Sequence, residues 1–141
     1  MANSRENICA EIVTLFKAQR SVKFGRVVRD PIVPSEIPKT AFPCIYVESS
    51  NEDIEDIANA GMRQGVMEVA IVLTIMGKDR NTQLNVAIQA MEDTINTDRT
   101  LSGKAEDCSL TRIEALETGD MSPFSSSKIV FTCSYVYTIN T

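Results

Sequence analysis

Two stretches set the terms on which this chain can fold. From Val66 to Met76 the side chains alternate: Met67, Val69, Ile71, Leu73 and Ile75 share one face, and Val66, Glu68, Ala70, Val72, Thr74 and Met76 the other. From Lys128 to Ile139 the pattern repeats, with Ile129, Phe131, Cys133, Tyr135, Tyr137 and Ile139 set against Val130, Thr132, Ser134, Val136 and Thr138. A period of two is the signature of a strand. In both stretches one face is apolar throughout, and the other is only half polar. Such a sheet wants cover on both sides, and two helices can supply one side. The second face, marked by Val66, Val72, Met76, Val130 and Val136, then needs a neighbour, which points to association between copies. The other way to satisfy it is a single well-covered strand pair in the middle of the sheet.

The remaining segments supply the two helices. Ile8, Ile12, Leu15 and Phe16 fall on one stripe of a helix expected over Asn3 to Gln19, with Asn3 and Glu6 in an N-cap arrangement. Leu84, Ile88, Met91 and Ile95, with Ala87 alongside, make the core stripe of a second helix, Arg80 to Asp98. Phe24 to Arg29 reads as a short strand. Prolines at 31, 34 and 38 then make an extended arm over 30–43, because each removes a backbone donor and pushes its predecessor toward extended geometry. A strand starts at Phe42-Pro43 and runs to Glu48. Ser49 to Gly65, with four acids and then Asn59, Gly61 and Gly65, reads as an acidic loop or hairpin-like excursion. Cys108 to Glu117 is a strand whose Leu110, Ile113 and Leu116 do not alternate by two, so a bulge is expected. The expected architecture is α+β: one domain, 1–141, with a mainly antiparallel sheet of four to five strands and both helices on one face.

Chemistry is harder to find. The 141 residues contain no histidine, which removes Ser-His-Asp and Cys-His catalytic sets and zinc helices of the H-E-x-x-H type. Cysteines at 9, 44, 108 and 133 show no C-x-x-C spacing and read as reduced, buried thiols. Gly61-Met-Arg-Gln-Gly65 lacks the second half of a phosphate loop. Asn51, Asp53 and Glu55 start like a calcium loop, but Asp56 stands where glycine is needed and Met62 where a bidentate glutamate is needed. No catalytic residue, metal or cofactor is assigned. The opening MANSRENICAEI has no basic start followed by an apolar stretch, so no secretory signal is expected, and no run approaches a membrane span.

Charge is divided along the chain. Residues 1–30 carry six Lys/Arg against three Asp/Glu, and residues 31–141 carry eight against sixteen. The basic series includes Arg20, Lys23, Arg26 and Arg29; the acidic one includes Glu52, Asp53, Glu55 and Asp56. Charge of this kind speaks to association rather than fold, and solvated faces are the plainer account of it.

The order of features nonetheless resembles one family. An amphipathic helix leads to a proline-containing stretch, then to Phe42-Pro43-x-Ile45-Tyr46-Val47-Glu48. An acidic segment with Gly61-Met62-Arg63 follows, then the strand to Met76, and a helix ending in Asp98-Arg99-Thr100-Leu101-x-Gly103. A strand with Glu114 and Glu117 and a last strand with Tyr135-x-Tyr137 close the chain. This collinear order is similar to that of the tail terminator, or tail completion, proteins of long-tailed bacteriophages, with minor tail and neck proteins as near relatives. The resemblance implies a non-enzymatic virion protein, assembled in the host cytoplasm. Its small α/β subunits form a six-membered ring that caps the tail tube, stops its polymerisation and meets the head connector. It implies as partners other copies of itself, the tail tube protein and the connector or neck proteins. DNA would only pass through the lumen, where acids at 52–56 would repel phosphate, and no membrane is involved. A head-closure protein of the same virus type, and a cytosolic α+β ligand-binding domain, are the rival readings.

Overall fold

The strand from Met62 to Met76 organises the molecule, because every other element packs on it or on its partners. The computed structural model describes residues 4–29, 38, 42–57, 61–77, 79–116 and 123–138. Its elements in chain order are α1 (Ser4–Ala18), β1 (Arg26–Val28), β2 (Cys44–Ile57), β3 (Met62–Met76), α2 (Arg80–Thr97), β4 (Asp107–Leu116) and β5 (Phe124–Thr138). The strands form one sheet in the order β1-β2-β3-β5-β4. Only the β1–β2 pair is parallel; β2–β3, β3–β5 and β4–β5 are antiparallel. This is the expected α+β fold, with both helices on one face.

The odd-numbered side chains of β3 and β5 form the core. Met67, Val69, Ile71, Leu73, Ile75, Ile129, Phe131 and Cys133 pack under Ile8, Cys9, Ile12 and Phe16 of α1 and under Ala87, Met91 and Ile95 of α2. Phe16 lies between Phe24 and Phe131, with ring centroids 6.5 Å from each. The α2 seat is rotated from the expected stripe: Ala87 is buried as expected and Ala90 joins it, while Leu84 and Ile88 only lean on the core. The two small alanines let that flank of the helix sit close to its neighbours.

One expectation about the strands needs restating, and one holds. Of the two readings of 49–65, the described residues show the hairpin and not the loop. β2 continues to Ile57 and β3 starts at Met62, so the acidic stretch is the far half of a long hairpin, with Asp56 opposite Arg63 and Ile54 opposite Gly65. Acids in a strand facing water cost little, and β3 supplies a full ladder of backbone partners; a register shift between Ser49 and Glu52 absorbs one irregularity. The bulge expected in β4 lies between Leu110 and Arg112. The arm over 30–43 lies mostly outside the described residues, as do Asn3, Glu117 and Ile139.

The segment after α2 is a built turn. Asp98 Oδ1 accepts from the Thr100 backbone N–H (3.1 Å) and its hydroxyl (2.6 Å), and Oδ2 accepts from the Ser102 N–H (2.8 Å). The turn places Leu101 at φ 52 and Ser102 at φ 59, followed by Gly103 at φ 84. A leucine in the left-handed region is uncommon. Here it is fully buried, so core packing and the Asp98 hydrogen bonds hold the conformation together. The Asp-x-Thr-Leu-x-Gly sequence is thus explained as architecture.

Candidate interaction surfaces

The face of the sheet away from the helices is the first candidate surface. Its residues divide by position. Val130 and Val72 are 1% and 8% exposed, which leaves them almost no area to offer a partner; Met76 and Val136 are half-buried, and Val66 is 39% exposed. The cover over Val130 comes from the chain itself. Arg112 stands opposite Val130 on β4, and its guanidinium reaches over β5 to Glu68 on β3 (3.4 Å) while also holding Glu114 (3.2 Å). The stem of Arg112 therefore crosses β5 at Val130, as long cationic side chains do over apolar surface. At the Met76 end, Phe42 packs on Phe124 (centroids 5.4 Å) and the Thr74 and Ser126 hydroxyls meet at 3.0 Å. The five residues singled out in the sequence do share this face. Of these five, Val66 is the one left exposed, and Leu116 of β4, opposite Ser126 on the same face, is equally exposed.

The second candidate surface is the far half of the β2–β3 hairpin. Tyr135 anchors its base: the phenol donates to Glu52 Oε2 (2.6 Å), and Arg5 of α1 donates to Glu52 Oε1 (2.5 Å). Burial first, and then the Glu52 carboxylate, push the Tyr135 phenol above its ordinary pKa. Tyr135 stacks on Tyr137 at 5.7 Å. Farther out, Arg63 pairs with Asp56 across the hairpin (2.9 Å). Of the four acids read from the sequence, Glu52 is therefore structural and Asp56 is engaged. Asp53 and Glu55 are exposed, and Ile54 between them is 43% exposed.

The third is basic and lies at the other end of β2. Gln19 clamps the exit from α1: its amide donates to the Val22 carbonyl, and its Oε1 accepts from the Val22 N–H (3.1 Å). That clamp turns Arg20 and Lys23 outward. With Phe16, Lys17, Gln19 and Phe24 they line a concavity of about 340 Å³. Arg26 is exposed at the start of β1. Arg29 is different: it holds Glu6 and donates to the Val47 carbonyl (2.9 Å), tying α1 and the β1 exit to β2. Sequence reasoning found the charges but not this hollow, because its floor comes from two aromatics whose meeting depends on the fold.

No three His, Cys, Asp or Glu side chains converge among the described residues. All four cysteines are buried and unbridged. Cys108 and Cys133 stand opposite each other on β4 and β5, with Sγ atoms 2.7 Å apart. Burial pushes the Cys44 thiol up to about 11, which keeps it protonated and unreactive at neutral pH. No described helix is long and apolar enough to cross a membrane.

No protein-family model matches this chain, and no curated protein matches it. Among solved structures, a chain of the "Virion of native gene transfer agent (GTA) particle" superposes with a TM-score of 0.55 at 12% identity, covering 97% of this chain and 100% of that one. The likeness is one of fold. It extends over the whole domain rather than a shared core fragment.

Proposed function

We propose that this chain is a structural virion protein. In this reading it assembles into a ring, of six copies by the resemblance, that caps a tail tube, ends tube growth and joins the tail to the head connector. The observation that carries the reading is the full-length correspondence with a chain of a virion particle, at 97% and 100% coverage. The surfaces are of the right kind. The two concavities seen among the described residues, one lined by Ile54, Glu55, Asp56 and Arg63 and one by Phe16, Lys17, Gln19, Arg20, Lys23 and Phe24, carry exposed charge, which suits contact with other proteins. The partners are other copies, the tail tube protein and the connector proteins, with DNA only in transit. The place of action is the virion, after assembly in the host cytoplasm.

The test is cryo-electron microscopy of particles carrying a tagged copy. Density for the tag at the end of the tail tube is expected. Density on the capsid side of the joint would favour a head-closure protein instead, and absence from particles would remove the reading.

A further inference from the structure

We propose that Cys108 and Cys133 are a site of oxidative modification, whose two thiols close to a cross-strand disulfide tying the edge strand β4 to β5 when the protein meets an oxidising medium. The site stands on the register of the sheet and does not depend on the ring reading.

The strands bring the pair together. β4 and β5 are antiparallel, and Cys108 is the Cα partner of Cys133. Directly opposite residues of such strands have Cα atoms about 4.5–5.5 Å apart, inside the span of about 4.4–6.8 Å that a disulfide needs. Opposite residues also project from the same face. Here both side chains enter the core beneath the helices, each fully buried, and their sulfurs meet there. No backbone movement is needed to join them. The other two thiols have no such partner: Cys44 on β2 stands between Arg26 and Thr74, and Cys9 belongs to α1.

The strand they join is the one that gains from being tied. β4 ends the sheet and pairs only with β5 among the described residues. Its residues 111–116 are all exposed, and its ladder shifts register between Leu110 and Arg112. Cys108 is its one buried residue. A strand held by so little burial opens locally more easily than the strands inside the sheet, and that opening admits a small oxidant without global unfolding. While β4 is closed, the neighbouring Cys108 thiol and burial hold the Cys133 thiol protonated, and a thiol in that state is inert. The oxidant is a diffusible disulfide such as oxidised glutathione. One thiolate attacks it, forming a mixed disulfide and releasing one glutathione; the second then attacks the mixed disulfide, forming the Cys108–Cys133 bond and releasing the other. The protein thiols lose two protons and two electrons, and the glutathione disulfide is reduced to two thiols. In a reducing cytosol the pair stays open, and in an oxidising medium the bond persists.

The experiment exposes the reduced, folded full chain to oxidised glutathione at neutral pH, then maps it by mass spectrometry without reduction and measures its melting temperature. Trypsin cuts after Lys104, Arg112 and Lys128, which puts the two cysteines on separate peptides, 105–112 and 129–141. These two peptides should appear joined, and the melting temperature should rise by about 5–15 °C, returning to its first value on addition of dithiothreitol. Cys108→Ala should show neither the joined peptides nor the rise, and Cys9→Ala with Cys44→Ala should show both. The map is read on the wild-type chain, so the answer does not depend on a variant folding. Four thiols that stay free, a bond to Cys9 or Cys44 instead, a bond between two chains, or glutathione retained on one thiol overturns the site. So does a Cys108–Cys133 bond that forms only in urea. A bond that forms in the folded chain and leaves the melting temperature unchanged overturns the tying of β4.

Discussion

The ring of Tyr135 lies across the backbone of Gly65, so close that a Cβ on Gly65 would stand 2.4 Å from Cζ. The ring has no room to retreat, being 2% exposed with its hydroxyl held by Glu52. Glycine here is a requirement of close approach. Gly65→Ala should cost about 1–3 kcal/mol by overpacking. Urea unfolding checks this, and the cost should fall when Tyr135 is replaced by alanine.

Alkaline pH should weaken the same anchor. The folded-state pKa of Tyr135 is raised, so its contribution is fully present below the unfolded value of about 10 and is lost as pH rises above it. Melting temperature measured between neutral and strongly alkaline pH should fall less steeply in Tyr135→Phe than in the wild type. Both proteins also carry Cys44, whose raised pKa acts in the same direction, so the difference between them isolates the phenol.

Acid acts on the turn after α2. The hydroxyl of Thr100 and the backbone N–H groups of Ser102 and Thr100 hold the Asp98 carboxyl below its usual pKa. A depressed folded pKa contributes stability that is present above the unfolded value and lost as pH falls through the folded one. Asp98→Asn should therefore be less stable than wild type at neutral pH, and the gap should close on acidification. A gap that is constant with pH would show that the charge is irrelevant.

The outward sheet face separates core from surface. Val130→Asp would bury a carboxylate under the Arg112 stem and should cost more than about 3 kcal/mol. Val72→Asp should behave similarly, as Val72 is 8% exposed. Val66→Lys faces Asp53 across the strand pair and should shift stability by no more than about 0.5 kcal/mol. Circular dichroism on heating distinguishes these outcomes.

Much of this architecture can be read directly from the residues. The period-two runs around Ile71 and Phe131 give the two central strands, and Ile8, Ile12 and Phe16 give the seat of α1. The broken alternation around Leu110 marks the β4 bulge. Other features depend on partners distant in sequence. Acids and glycines at 49–65 resemble a loop until β3 is there to pair with them. Val130 looks like a surface for a partner until Arg112, eighteen residues earlier, folds over it. The basic series looks like an even row until the Gln19 clamp and the Phe16–Phe24 contact make a hollow of part of it and Glu6 takes Arg29 away. The pairing of β1 with β2 rests on three residues and carries no local signature.

Association between copies is the claim on which the functional account depends. Light scattering on the purified wild-type chain across a wide concentration range tests it most directly. The account predicts one defined oligomer at an integral multiple of 15.5 kDa, formed by the chain alone or on addition of tail tubes. A mass of one subunit at every concentration, unchanged by tail tubes, would contradict it.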